Sequence, residues 1–342
     1  MTGGARAGGA AAARAAAAEQ DDPSPCGGGR ASDAFPPGEA TPSPDGRAGA
    51  TEGAGPGGVV SRAAGPAVRA GPAVSASPLR RWSGAGWDLS DAPAPPEEAA
   101  VAIVVDGTSQ AVLMATPHDL DDLALGFALT EGLIAAVGDV TDAQVVAVAP
   151  PAALPGLPAL ETRLWLRPGL AAGLAERRRS MVGPVGCGLC GVDSIAAALP
   201  PVLPVAATYT VAPDDIALAM QALAKGQRRW RDTPAIHAAG FWSPEVALVR
   251  EDVGRHNALD KLVGALAARG IDPGGGIIAM TSRLSVDLVQ KTARIGAGLL
   301  AGASTPTRLA IDWAEAAGLT LIGRARAGSF DLYTHPQRIR SA

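Results

Sequence analysis

From about residue 97 the apolar positions recur at the spacings of regular structure. AVAIVVDG, residues 100–107, is a β-branched run closed by a turn signal and predicts a strand. In TPHDLDDLALGFALTEGLIA, residues 116–135, Leu120, Leu123, Phe127 and the Leu133–Ile134 pair follow a helical period. Thr116 is the expected cap of that helix, Pro117 suits its first turn, and the early acids complement the helix dipole. AQVVAVAP (143–150) and TRLWLRP (162–168) predict strands, and GLAAGLAERRRSM (169–181) a basic helix. Beyond residue 200 helices alternate with strands. Helices are expected over 212–230, 253–270, 284–300 and 304–318, the last with a Ser/Thr cap and Pro306 in its first turn. Strands are expected over 245–252 and 275–282, and two more about a turn over 319–335. This alternation predicts an α/β fold, a layered sheet with helices on both faces.

The pattern fails before residue 92. Ala, Gly, Pro, Ser and Arg dominate there, and the large apolar residues before position 80 are Phe35, Val59, Val60, Val68, Val74 and Leu79. Burial of so few groups cannot offset the entropy of ordering the segment, so 1–92 reads as a disordered low-complexity tail. Trp82 and Trp87 are candidates to pin its end to the folded part. Residues 93–182 then form a smaller N-terminal α+β subdomain, 183–195 a flexible loop, and 196–342 an α/β domain. A net charge of −4 over 342 residues gives no field that would gather nucleic acid, and no apolar run is long enough for a membrane span. Three cysteines, Cys26, Cys187 and Cys190, argue against a disulfide-stapled secreted fold and for a reducing compartment.

Chemistry concentrates in GPVGCGLCGVDS, residues 183–194, where glycines flank Cys187 and Cys190. Structural zinc requires four ligands, and none of the four histidines, His118, His237, His256 and His335, has the matching spacing. A deaminase-type zinc site also requires His-x-Glu, whereas His118 is followed by Asp119 and Leu120. A thioredoxin-type pair would sit at a strand-to-helix junction. A mobile, partly exposed thiolate suits sulfur transfer, in which a cysteine takes up a persulfide sulfur and passes it on. Arg177, Arg178 and Arg179 could stabilise such a thiolate, or form an ordinary solvated helix face.

Three polar strings open helices after strands: EDVGRHNALDK (251–261), MTSRLSVDLVQK (280–291) and GASTPTRLA (302–310). Ligands of α/β sheets bind at such junctions, where free N–H groups favour phosphate. Arg255 is a candidate phosphate clamp, and His256 and Asn257 are candidates for a base or sugar. Ser282 and Arg283 repeat the logic. Ordinary capping, with Asp252 as cap and Arg255 in a surface ion pair, accounts for the first string nearly as well.

TPHDLDDLALGFALTEGLI, GCGLCG, EDVGRHNALDKLVG, SRLSVDLVQK and TPTRLAIDWAEAAGLTLIG occur in an order that resembles the FdhD family of formate dehydrogenase accessory proteins, from about residue 97 to the end. The resemblance implies a cytidine-deaminase-like main domain without zinc chemistry, and hence no catalytic metal. It implies a cytoplasmic sulfurtransferase that receives a persulfide from a cysteine desulfurase. The acceptor would be Mo-bis(molybdopterin guanine dinucleotide), destined for the formate dehydrogenase catalytic subunit. Cys187 maps onto the persulfide carrier and Cys190 onto its assistant. Arg324, Ala325, Arg326, Ala327, Gly328 and Ser329 map onto the cofactor-binding segment. A homodimer is implied as well. The chain departs from the family at RDTPAIH (231–237), at Thr281 before Ser282 and Arg283, at Asp287 in place of Glu, and at Arg324 in place of an aromatic residue. The rival readings are a zinc-dependent deaminase-like hydrolase and a non-enzymatic cofactor-insertion chaperone.

Overall fold

A computed structural model describes residues 80–89, 95–150, 152, 156, 158–170, 199–231, 233–326 and 328–340. All belong to one compact unit, Gly58–Ala342. Cys26, Arg177, Arg178, Arg179, Cys187, Cys190 and Ala327 lie outside the described residues, as do the expected helix over 171–181, the 183–195 loop and the tail through residue 79.

The first described residues fall inside the segment expected to be a tail through residue 92. β1 (Arg80–Trp82) and β2 (Trp87–Leu89) pair antiparallel, with Trp82 opposite Trp87 and their ring centroids 5.5 Å apart. A cross-strand aromatic pair stabilises a short hairpin locally, which bulk composition does not register. The two rings remain 58% and 65% exposed, so they pack on each other rather than into a core.

A four-stranded sheet follows: β3 (Ala99–Val105), β4 (Thr108–Ala115), β5 (Val140–Ala147) and β6 (Ala159–Leu166), in the order β4-β3-β6-β5. β3 turns into β4 through Asp106–Gly107, both at positive φ, the conformation a tight hairpin requires. α1 (Leu120–Thr130) lays Leu120, Leu123 and Phe127 against Val101, Ile103, Leu160 and Leu164 of this sheet. Its start differs from the expectation. Asp119, in the left-handed region, is the capping residue, and Thr116 and Pro117 precede the helix. Thr116 is drawn away by a stronger partner: its N–H donates to Asp252 Oδ2 at 3.0 Å, and its hydroxyl accepts from the Val253 N–H.

The second layer is a six-stranded sheet of β7 (His237–Trp242), β8 (Ala247–Asp252), β9 (Ile277–Met280), β10 (Leu299–Gly302), β11 (Thr320–Arg326) and β12 (Ser329–Leu332), ordered β12-β11-β10-β9-β7-β8. Helices cover both faces. α2 (Pro213–Gly226) places Ile216, Ala219 and Leu223 on one, against Ile277, Ala279, Leu299 and Ile322. α3 (Arg255–Ala267), α4 (Val286–Arg294) and α5 (Arg308–Ala317) cover the other, against Ile278, Met280, Leu300 and Leu321. The helix expected over 284–300 stops at Arg294, and its last residues form β10. A four-residue run that is buried on both faces carries no period to separate strand from helix. Pro306 likewise precedes α5; Thr307 caps it by accepting from the Ala310 N–H. Among the described residues no helix is long and apolar enough to cross a membrane.

The layers meet where α1 crosses α3, and the backbones touch. A Cβ on Gly126 would overlap the carbonyl oxygen of Asp260, and one on Gly264 that of Asp122.

Candidate functional site

Parallel pairing of β9, β10 and β11 brings their C-terminal ends to one edge of the six-stranded sheet. β7 runs opposite to both β9 and β8, so β8 also ends at this edge and β7 begins there. His237, the 252–257 segment, Thr281 to Ser285, Ala303 to Thr307 and the 324–329 turn therefore line one edge. The three polar helix starts singled out in the sequence share one side of one sheet, where N–H groups at the starts of α3, α4 and α5 collect positive potential.

Within this edge the EDVGRHNALDK string is partly structural. Asp252 is not the helix cap; Gly254 is. The Asp252 carboxylate is fully buried 2.6 Å from Lys261 Nζ, and it accepts N–H bonds from Thr116, Gly254 and the Asn257 amide. Lys261 also donates to the Thr116 carbonyl at 2.9 Å, and Asn257 to the Met114 carbonyl at 2.9 Å. The Asn257–Met114 bond thus ties α3 to the end of β4, and the Asn257–Asp252 bond ties it to the end of β8. Asn257 and Lys261 hold the four-stranded layer to the loop that presents Arg255 and His256.

A second buried cluster lies one turn further in. Lys291 Nζ sits 2.9 Å from Asp260 Oδ1 and 2.8 Å from Glu131 Oε1, and it donates to the Thr130 hydroxyl. Burial alone would lower the Lys291 pKa, but the two carboxylates outweigh it and hold the ammonium above its ordinary value.

His256 stands in the first turn of α3. Its Nε2 contacts Asp287 Oδ2 directly, across the starts of α3 and α4. Arg255 Nε and Ser285 Oγ are also buried at these helix starts, without a hydrogen-bond partner among the described residues. Burial is the largest influence on His256; Asp287 opposes it, Arg255 and Lys291 reinforce it, and the pKa falls to about 4. His256 is therefore a neutral imidazole beside a carboxylate at neutral pH. The linkage has a definite sign. The folded pKa lies below the unfolded one, so the stability is complete above about pH 6.5 and is lost as pH falls toward 4. Between about pH 7.5 and about pH 5 this group should remove about 2 kcal/mol, and His256→Asn should flatten that loss in paired urea titrations. Equal pH dependence in both proteins would contradict a neutral His256.

Across the sheet the remaining candidates diverge. Ser282 is buried and donates to the Arg283 carbonyl, and Arg283 is exposed. Arg324, at positive φ, pairs with Asp331 at 2.5 Å on the surface. Arg326 Nε donates to the Ala303 carbonyl, joining the ends of β11 and β10. Ala325 points into the core, whereas Gly328 takes the positive φ of the turn and Ser329 closes it by donating to Arg326 O. His237, which the sequence reading weighed only as a zinc ligand, belongs to the edge: it lies opposite Asp252, and burial followed by the charge of Arg255 lowers its pKa. Its signal was positional, a histidine opening a strand beside the polar junction.

The FdhD/NarQ family model matches residues 96–340. A sulfur carrier protein FdhD from Agrobacterium fabrum is 45% identical over 247 residues, 71% of this chain and 88% of the relative. Its counterpart from Cupriavidus necator is 44% identical over 246 residues, covering 71% and 83%. A crystal structure from Desulfotalea psychrophila, named as a formate dehydrogenase accessory protein, aligns at a TM-score of 0.57 over 77% of this chain and 98% of that one. At 20% identity it speaks to the fold.

Proposed function

The chain belongs to the FdhD/NarQ family, and from that premise we propose that it is a sulfur carrier serving formate dehydrogenase. The observation that carries the reading is the pair Cys187 and Cys190, glycine-flanked and inside the stretch that matches the family. In the proposed reaction the Cys187 thiolate attacks the terminal sulfur of a persulfide on a cysteine desulfurase. The donor S–S bond breaks, the donor thiolate leaves, and Cys187 holds the sulfane sulfur as its own persulfide. Delivery as sulfide requires two electrons. Attack of the Cys190 thiolate on Cys187 Sγ supplies them, forming a Cys187–Cys190 disulfide and releasing the terminal sulfur as hydrosulfide.

The acceptor we propose is Mo-bis(molybdopterin guanine dinucleotide), on its way to the formate dehydrogenase catalytic subunit in the cytoplasm. Its diphosphates and guanines are anionic and hydrogen-bonding groups. The edge that carries Arg255, His256, Arg283 and the 324–329 turn offers cations, helix N–H groups, and Arg255 Nε and Ser285 Oγ, which have no partner among the described residues. A cytidine-deaminase-like layout of the main domain and a homodimeric assembly belong to the same proposal.

Incubation with a cysteine desulfurase and cysteine should add one sulfur atom to the peptide that contains Cys187, read by mass spectrometry. The gain should vanish in Cys187→Ser. An unmodified peptide in the wild-type protein would overturn the reading.

A further inference from the structure

β8 is the outer strand of the six-stranded sheet, and a cleft of about 820 Å³ runs along it, between the C-terminal end of α2 and the start of α1. The β7–β8 turn sets its register. Ser243 and Val246 exchange both backbone bonds, at 2.8 and 3.3 Å, and the alternation of an antiparallel ladder then turns Leu248 and Arg250 toward β7. Ala247 and Val249 present their backbone groups outward. The Val249 carbonyl is used by Arg250 Nη1 at 3.0 Å, and the N–H groups of Ala247 and Val249 face away from β7, the one strand that β8 pairs with among the described residues.

The cleft is also unevenly charged. Lys225, Arg228 and Arg229 line it, and among the described residues no carboxylate pairs with any of them. Its acids are already committed. Glu251 accepts the N–H groups of Arg228, Arg229 and Trp230 at 3.0, 2.9 and 3.0 Å. Asp119 lies 3.8 Å from Arg250, which also pairs with Asp122. Three uncompensated cations therefore flank a strand edge with outward-facing donors, and a cleft concentrates such a field. An unpaired strand edge is itself a template for an added strand.

We propose that this cleft docks an extended acidic segment of a partner protein, which joins the sheet beside β8 and sets its carboxylates on Lys225, Arg228 and Arg229. A second copy of this chain fits poorly, because a two-fold pairing of β8 edges would bring the same cations together. A small polyanion would satisfy the cations and leave the Ala247 and Val249 N–H groups unmet. The inference is independent of the sulfur chemistry.

The test uses the full-length protein and a fluorescein-labelled eight-residue peptide that alternates Glu and Val. Binding followed by polarisation should saturate and weaken with added salt. It should fall at least about tenfold in the Arg228→Glu/Arg229→Glu double variant. Lys225→Ala and Arg228→Ala, milder changes at exposed positions, should each cost about threefold. The backbone amide resonances of Ala247 and Val249 should shift on binding. Persulfide formation on Cys187 should persist in the double variant, which separates failure of docking from failure of the carrier. No saturable binding, binding indifferent to these substitutions, or peptide displaced by equimolar inorganic pyrophosphate with both amides unmoved would overturn the proposal.

Discussion

Gly264→Ala should destabilise the protein by about 3 kcal/mol, the upper end of the overpacking range. The sign is unusual, because alanine in the middle of a helix ordinarily gains up to about 1 kcal/mol over glycine. Here the added methyl group meets the carbonyl oxygen of Asp122, and at Gly126 the carbonyl oxygen of Asp260. Neither obstacle is a side chain that can swing aside. Relief requires the two helices to separate, which would open the contact between Phe127 and its neighbours and stretch the Thr130–Asp260 hydrogen bond of 2.6 Å. Gly126→Ala should show the same deficit. Gly138→Ala is the control, since nothing lies within 4 Å of the new Cβ. Urea midpoints that fall for Gly126 and Gly264 with an unchanged denaturant slope, and stay put for Gly138, would establish the crossing. A neutral Gly264→Ala would mean that the helices do not touch there.

Lys291→Met should cost about 3–5 kcal/mol, the range for removing one partner of a buried ion pair. The methionine fills the volume of the lysine stem, so the loss is electrostatic. Asp260 and Glu131 would face each other without a cation, and the Thr130 hydroxyl would lose a donor. The pH dependence gives a second readout. In the wild-type protein the Lys291 pKa is raised, so its stabilisation is complete below the unfolded lysine value and is lost only as pH rises through the folded one. In Lys291→Met the deficit should instead shrink as pH falls, because protonation of one carboxylate relieves the repulsion. Adding Asp260→Asn should recover part of the loss. A Lys291→Met protein as stable as the wild type at neutral pH would show the cluster to be energetically idle.

The difference between legible and hidden features follows from what kind of interaction made them. α1, α2, α3, α5, β3, β6, β8 and β9 declared themselves because one face or one run is apolar and the turns between them carry Pro, Gly or Asp. β10 did not, since four apolar residues between glycines fit either a helix end or a buried strand. β4 and β7 were missed as strands: TSQAVLMA and HAAGFW lack a clean alternation, and their propensity is outweighed by pairing, with β8 and β9 on both sides of β7 and with β3 on one side of β4. The site was legible as a set of polar helix starts. Its division of labour was not. In the string Asp252 looks like a cap and Asn257 like a ligand group, yet they spend their hydrogen bonds on Lys261, Thr116 and Met114, residues 136 and 143 positions away or on the next turn of α3. Long-range pairing of that kind leaves no periodic trace. Thr116 illustrates the same limit, since a good capping residue was taken by a buried carboxylate from the other layer.

The contact of α1 with α3 also bears on biosynthesis. Everything in the four-stranded layer leaves the ribosome before Arg255 is added to the chain. During that interval the glycine face of α1, with Thr130 and Glu131 beside it, has no surface to close against. The N-terminal half of the nascent chain must therefore wait, with one side of its helix bare, for a lysine synthesised some 160 residues after Thr130.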